Sequence, residues 1–264
     1  MQPRAVDGSP WPLLAALEQA RRSAPSGIVR RAARALSRSL ATLAGAARCA
    51  ACDCALSGAP SGFCEACVIS SPPVLKQVGD LWVLAGARFE PTLRQAIHRL
   101  KYSGQAEVVE GLTEWWSRRL ELALRSPLPH ALAGASAAIP HENTEGRRRG
   151  LRLVPVPLHP NRLVERGFNQ SALLATGLAR RLDADVGHYL CRVKATEAQA
   201  TLGQRERAQN IQGAFRSSRS RGDARVILVD DVATTGATLG AAVQALRAGG
   251  MSCIGAVVLA VSKD

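Results

Sequence analysis

The stretch Val226-Ile-Leu-Val-Asp230-Asp231-Val-Ala-Thr234-Thr235-Gly236-Ala-Thr238 sets the class of the fold. Its four consecutive aliphatic residues predict a strand over 226–229 that is buried on both faces, as parallel sheets require. Two acids close the strand, and a Thr/Gly turn opens a helix predicted over 238–247. Such a turn offers backbone N–H groups, threonine hydroxyls and a helix N-terminus to one phosphate. Two carboxylates would repel that phosphate, so they must face something else. The vicinal hydroxyls of a ribose are natural partners. The stretch is not a Walker loop, since it has neither the GxxxxGK spacing nor the lysine.

The surrounding pattern alternates strand and helix. Leu151–Val156 reads as an apolar strand, Pro157–Asn169 as a polar loop, and Ser171–Leu182 as a helix with Leu174, Leu178 and Leu182 on one face. Cys253–Val261 reads as a final buried strand after Gly249-Gly250 caps its helix. Upstream, Leu81–Ala87 is a strand, and Pro91–Tyr102 and Ala106–Leu124 are helices. Residues 126–150 form a Pro/Gly-rich linker ending in Arg147-Arg148-Arg149-Gly150. Residues 1–27 read as loose, and Ile28–Leu43 as an amphipathic helix with Arg30, Arg34 and Arg38 along one side. Short aliphatic strands alternating with helices give an α/β class with a parallel sheet.

A second signal lies nearer the N-terminus. Cys49-Ala-Ala-Cys52 and Cys64-Glu-Ala-Cys67 are two CxxC pairs, with Cys54 as a spare that would replace Cys52. Each pair supplies two sulfurs from one tight turn. Together they make a closed, structural zinc–thiolate site with metal ligands Cys49, Cys52, Cys64 and Cys67. Clustered cysteines without a secretory signal favour metal over disulfides and a cytoplasmic location. Cys191 and Cys253 read as lone core cysteines.

Composition sets limits. The 264 residues are 47% apolar, which excludes disorder for most of the chain. The run Ile254–Val261 is far short of the ~20 residues a membrane helix needs. Trp11–Leu17 is a short apolar patch with no cleavage site behind it. An Arg/Ser/Ala-rich head also matches a transit peptide, though a solvated helix face accounts for it better. Net charge is +13, with +6 in residues 1–48, +1 in 49–150 and +6 in 151–264. Most cations are arginine, whose planar fork suits phosphate; an arginine-rich genome explains part of the excess. Arg147–Arg149 reads as a solubility device ahead of a nucleic-acid contact. Trp115-Trp116 reads as a half-buried helix face ahead of a base-stacking platform.

The acid-pair stretch resembles the phosphoribosylpyrophosphate (PRPP) motif of type I phosphoribosyltransferases. Other elements narrow the resemblance to the ComF/GntX family of competence-associated phosphoribosyltransferase-like proteins. Val154-Pro-Val-Pro-Leu158-His, Arg162 and Arg166-Gly-Phe-Asn-Gln170 are similar to its first strand and pyrophosphate loop. Thr196, Gln199, Leu202, Arg205, Asn210 and Gly213-Ala-Phe215 are similar to its T..Q..L..R....N..GAF stretch. Leu100-Lys-Tyr-Ser-Gly104 resembles its LKYxG element, and the double CxxC its zinc segment. The resemblance covers residues 49–264.

It implies a parallel sheet of about five strands with helices on both faces, a small hood, and a division into a basic extension (1–48), a zinc segment (49–70), a helical hood and linker (71–150) and a phosphoribosyltransferase-like domain (151–264). Asp230 and Asp231 would hold the ribose hydroxyls. Thr234, Thr235, Gly236, Ala237 and Thr238 would hold the 5′-phosphate. Arg162 and Arg166 would approach the pyrophosphate, and Lys194 or Arg205 would close over it from a loop at 192–210. Magnesium would accompany PRPP. Hypoxanthine-guanine relatives carry a third acid where this chain has Thr234, which speaks against simple purine salvage and leaves the base open. Glu197 and His159 are candidates by location alone, and Asn169 is either a substrate contact or a helix cap. Two readings follow: a phosphoribosyltransferase acting on an unknown acceptor, or a non-catalytic accessory of DNA uptake that binds single-stranded DNA and senses nucleotides. Relatives of this type are often homodimers.

Overall fold

The computed structural model describes residues 11–23, 48–56, 62–103, 106–125, 152–182, 184–195, 211–218 and 225–262. The strands are β1 (Val74–Val78), β2 (Leu81–Arg88), β3 (Arg152–Pro155), β4 (Asp185–Val186), β5 (Leu190–Arg192), β6 (Phe215–Ser217), β7 (Arg225–Ala233) and β8 (Ser252–Val261). The helices are α1 (Trp11–Ser23), α2 (Pro91–Ser103), α3 (Ala106–Arg125), α4 (Pro160–Arg166), α5 (Gln170–Leu182) and α6 (Ala237–Ala248).

Six strands form one sheet in the order β1-β2-β8-β7-β3-β4. The five from β2 to β4 run parallel, and β1 adds an antiparallel edge. This is the expected five-stranded parallel core. β1 and β2 come from the stretch 71–150; β2 pairs with β8, and β1 pairs with β2 alone. β5 and β6 form a separate antiparallel pair.

Side-chain alternation divides the core into two clusters. Ile227 and Val229 of β7, with Val257 and Leu259 of β8, face α1, α2, α3 and α5. Val226, Leu228, Ala256 and Val258 face α6 and the β5–β6 pair. With helices on one side and α6 plus the pair on the other, the central strands are apolar in both directions, so they read as unbroken aliphatic runs. Arg181 of α5, its side chain 8% exposed, ties α3 to this core, reaching Glu110 at 2.6 Å and Glu114 at 3.1 Å.

Five local expectations change. Residues 11–23 form a helix where a loose segment is expected, because Leu13 and Leu17 are completely buried against β8. A Cβ on Gly255 would come within 2.7 Å of Leu13, so glycine there lets α1 lie close to the sheet. The loop expected over 157–169 contains α4, which starts at Pro160 and ends at Gly167 in the left-handed region. β7 does not stop at the acids. It pairs with β8 through Ala233, so both acids belong to the strand. Trp115 and Trp116 lie on a helix face as expected but are buried more deeply than half, at 7% and 0% exposure, which removes them as a stacking platform. Cys191 is exposed on the outer side of the small pair, while Cys253 is buried as expected. The predicted helix 28–43, the linker at 126–150 with Arg147–Arg149, and the stretch 196–210 with Glu197 and Arg205 lie outside the described residues.

Candidate functional site

A cavity of ≈ 360 Å³ opens beyond the carboxyl ends of β3 and β7. Open α/β sheets place ligands there because loops and helix N-termini converge at that end. Asp230 and Asp231 form its floor. The turn 234–238 borders one side, and the 156–159 loop, Arg162 and Arg166 border another. Ser171, Arg192 and Lys101 complete the wall.

The acid pair is buried, at 8% and 6% exposure. Asp230 Oδ1 accepts the Ser171 hydroxyl at 2.8 Å and the Asp231 amide at 2.9 Å. Burial, and then the Asp231 charge, push the Asp230 carboxyl up to about 7; the two hydrogen bonds and Lys101 oppose that rise. Asp231 Oδ1 accepts the Val232 amide at 2.8 Å. Its Oδ2 takes no well-aligned hydrogen bond among the described residues and faces the Lys101 ammonium at 2.7 Å.

The turn after β7 depends on Gly236. Its φ of 77° lies in the left-handed region, and a Cβ there would fall 1.8 Å from Val78 Cγ1 on β1. Thr235 Oγ1 accepts the Ala237 amide at 3.4 Å. The Gly236 carbonyl accepts the Gly240 amide at 2.8 Å, so α6 begins immediately. Its N-terminus has no side-chain cap and opens toward the cavity, an arrangement that favours an anion.

Four cations border the cavity. Arg162 pairs with Glu165 at 2.9 Å. Arg166 donates to Gln170 Oε1 at 2.7 Å and lies over the Tyr102 ring at 5.9 Å. Arg192 lies over Phe215; burial lowers its pKa, and the Asp230 charge raises it. Lys101 is the fourth. Lys194 is exposed and does not border the cavity. His159 caps α4, its Nδ1 accepting the Asn161 amide at 3.3 Å. Asn169 is the cap of α5: its Oδ1 accepts the Ser171 amide, and its Nδ2 donates to the Val156 carbonyl. Sequence reasoning attached no role to Lys101, Ser171 or Arg192. The LKYxG element and the GFNQ run already marked the neighbourhoods of the first two, but no pattern in the sequence marks Arg192.

The cysteines converge as a group of free thiols. The sulfurs of Cys49, Cys52, Cys54 and Cys64 lie within 4.8 Å of one another. Tetrahedral thiolates about 2.3 Å from zinc stand about 3.8 Å apart, so this spacing is compatible with structural zinc. Hydrogen bonds, first from the Cys54 backbone and then from its side chain, lower the Cys52 thiol to about 6. Cys67, expected as the fourth ligand, falls outside this four-sulfur group, in which Cys54 stands instead; Cys67 is buried, and desolvation pushes its thiol up. Arg99 of α2 fastens this segment, donating to the Cys49 carbonyl at 2.7 Å and pairing with Asp53.

Parallel strands, a buried acid pair and a Thr/Gly turn into a helix define a type I phosphoribosyltransferase-like domain. Residues 169–264 match the phosphoribosyl transferase domain family. The DNA utilization protein YhgH of Escherichia coli (strain K12) is 32% identical over 192 residues, covering 72% of this chain and 74% of that protein. Competence protein F of Haemophilus influenzae is 34% identical over 172 residues, covering 64% and 67%. Competence protein ComFC of Bacillus subtilis is 28% identical over 158 residues, covering 60% and 55%. The chain belongs to the ComF/GntX family. No described helix is long and apolar enough to cross a membrane.

Proposed function

We propose that the cavity binds PRPP, entering as its magnesium complex, and transfers the phosphoribosyl group to an acceptor in a role linked to DNA uptake or utilization. The acid pair ahead of the Thr/Gly turn carries this reading. Asp230 and Asp231 accept the ribose hydroxyls. The amides of 234–238 bind the 5′-phosphate at the start of α6. Arg162 and Arg166 bind pyrophosphate on the opposite side, with Lys194 or Arg205 as the residue that closes over it from the adjoining loop. The C1–O bond breaks, pyrophosphate leaves with the electron pair, and the acceptor's nucleophile forms a bond to C1. Arginines aimed at the leaving oxygens stabilise the charge that develops there, and magnesium on PRPP adds to that neutralisation. His159 is engaged as a helix cap, so the acceptor's proton is left to the acceptor itself or to the loop. Names of relatives that refer to DNA utilization and competence support the cellular role, and a cytoplasmic location goes with free thiols and PRPP.

Titration of the purified chain with PRPP and magnesium tests the site. Binding that vanishes in Asp230→Asn/Asp231→Asn, with the fold intact, is the expected result. Equal binding by both proteins, or none by the natural chain, refutes it.

A further inference from the structure

The acid pair presents an electrostatic difficulty. Two adjacent carboxylates, both more than nine-tenths buried, do not ionise together without a nearby cation. In many oxygen-rich sites a divalent metal meets that need. Here the Lys101 ammonium supplies the positive charge, 2.7 Å from Asp231 Oδ2. It arrives from outside the motif, 130 positions earlier (231 − 101).

Its placement is firm. Leu100, one residue before it, is completely buried. Arg99, one further back, is tied to the cysteine segment through the Cys49 carbonyl and Asp53. Tyr102, one residue after it, is exposed, packs on His98 and lies under Arg166. Three consecutive residues thus anchor α2 to the cysteine segment, bury it and deliver an ammonium to the acid pair.

We infer that Lys101 is a positioning residue that serves as the built-in cation of the acid pair and excludes a divalent metal from it. Asp231 Oδ1 already accepts the Val232 amide, and Oδ2 faces the Lys101 ammonium; each oxygen keeps a lone pair for a neutral hydroxyl, but the ammonium charge beside them repels a divalent ion. Magnesium therefore enters this pocket only on a ligand's phosphate oxygens. The inference concerns the same cavity as the phosphoribosyl reading, but its test uses metal alone and stands or falls separately.

The test is titration of the full, zinc-replete chain with Mn²⁺, followed by electron paramagnetic resonance without any nucleotide or PRPP. Lys101→Met is expected to gain an Mn²⁺ site at least about tenfold tighter than anything in the natural chain. The gain should vanish in Lys101→Met/Asp231→Asn, while Lys101→Arg should behave like the natural protein. Equal Mn²⁺ affinity in the natural chain and Lys101→Met overturns the inference. So does a tight site in the natural chain that Asp231→Asn removes. If Lys101→Met fails to fold by circular dichroism, Lys101→Gln is compared by the same criteria.

Discussion

Asp230→Asn is expected to stabilise the ligand-free protein near neutral pH. Asp230 is buried, and its carboxyl rises from 3.8 to about 7, first through desolvation and then through the Asp231 charge. The folded state therefore binds this proton more tightly than the unfolded chain. Stability is fully supported below the unfolded value, near pH 4, and is lost as pH rises toward 7. A tenfold difference in proton affinity between the two states is worth about 1.4 kcal/mol, so the charge costs on the order of 2–4 kcal/mol at pH 7.5. Asparagine keeps the acceptor for Ser171 and the Asp231 amide and carries no charge. Urea denaturation of both proteins at pH 5, 6, 7 and 8 measures the difference. The variant should gain least at pH 5, where about a third of the effect is already present, and most at pH 8. Contributions from histidines and thiols are common to both proteins and cancel in the comparison. A difference that does not change with pH, or a variant that is less stable at pH 8, would refute the reasoning.

Gly236→Ala places a Cβ 1.8 Å from Val78 in a left-handed backbone conformation. It should cost about 2–4 kcal/mol in chemical denaturation and weaken phosphate binding, because β1 or the turn must move. Metal analysis of the natural chain should return one zinc per molecule. Cys52→Ser should abolish it, and comparing Cys54→Ser with Cys67→Ser identifies the fourth ligand as the one whose loss releases zinc to a chromophoric chelator.

The central strands were legible because burial on both faces leaves no alternative to aliphatic runs, as in 226–229 and 253–261. Helices α2, α3 and α5 were legible from their 3.6-residue periodicity. Elements whose logic is tertiary leave no such local mark. α1 is a helix because Leu13 and Leu17 find β8, a contact that residues 11–17 do not announce. β1 shows little alternation because it is an edge strand held by β2 alone. β4, β5 and β6 are two or three residues long, too short to show a period. In the site, Asp230, Asp231 and the glycine turn are local in sequence and could be read there. Lys101 and Arg192 reach the cavity only through folding.

That distribution has a physical reason. A phosphate-binding turn must be contiguous, since successive amides of one backbone make it. Charge compensation carries no such requirement, because Coulomb interactions depend on distance and burial rather than on chain order. The acid pair is therefore written in one strand, and its counter-cation comes from α2, a helix distant in sequence that packs on the sheet face of Ile227 and Val229. That helix is held in turn by the cysteine segment through Arg99. The pocket's electrostatics thus depend on the N-terminal half as much as on the motif itself. Residues 169–264, which match the phosphoribosyl transferase domain, contain the acids but not the lysine that neutralises them.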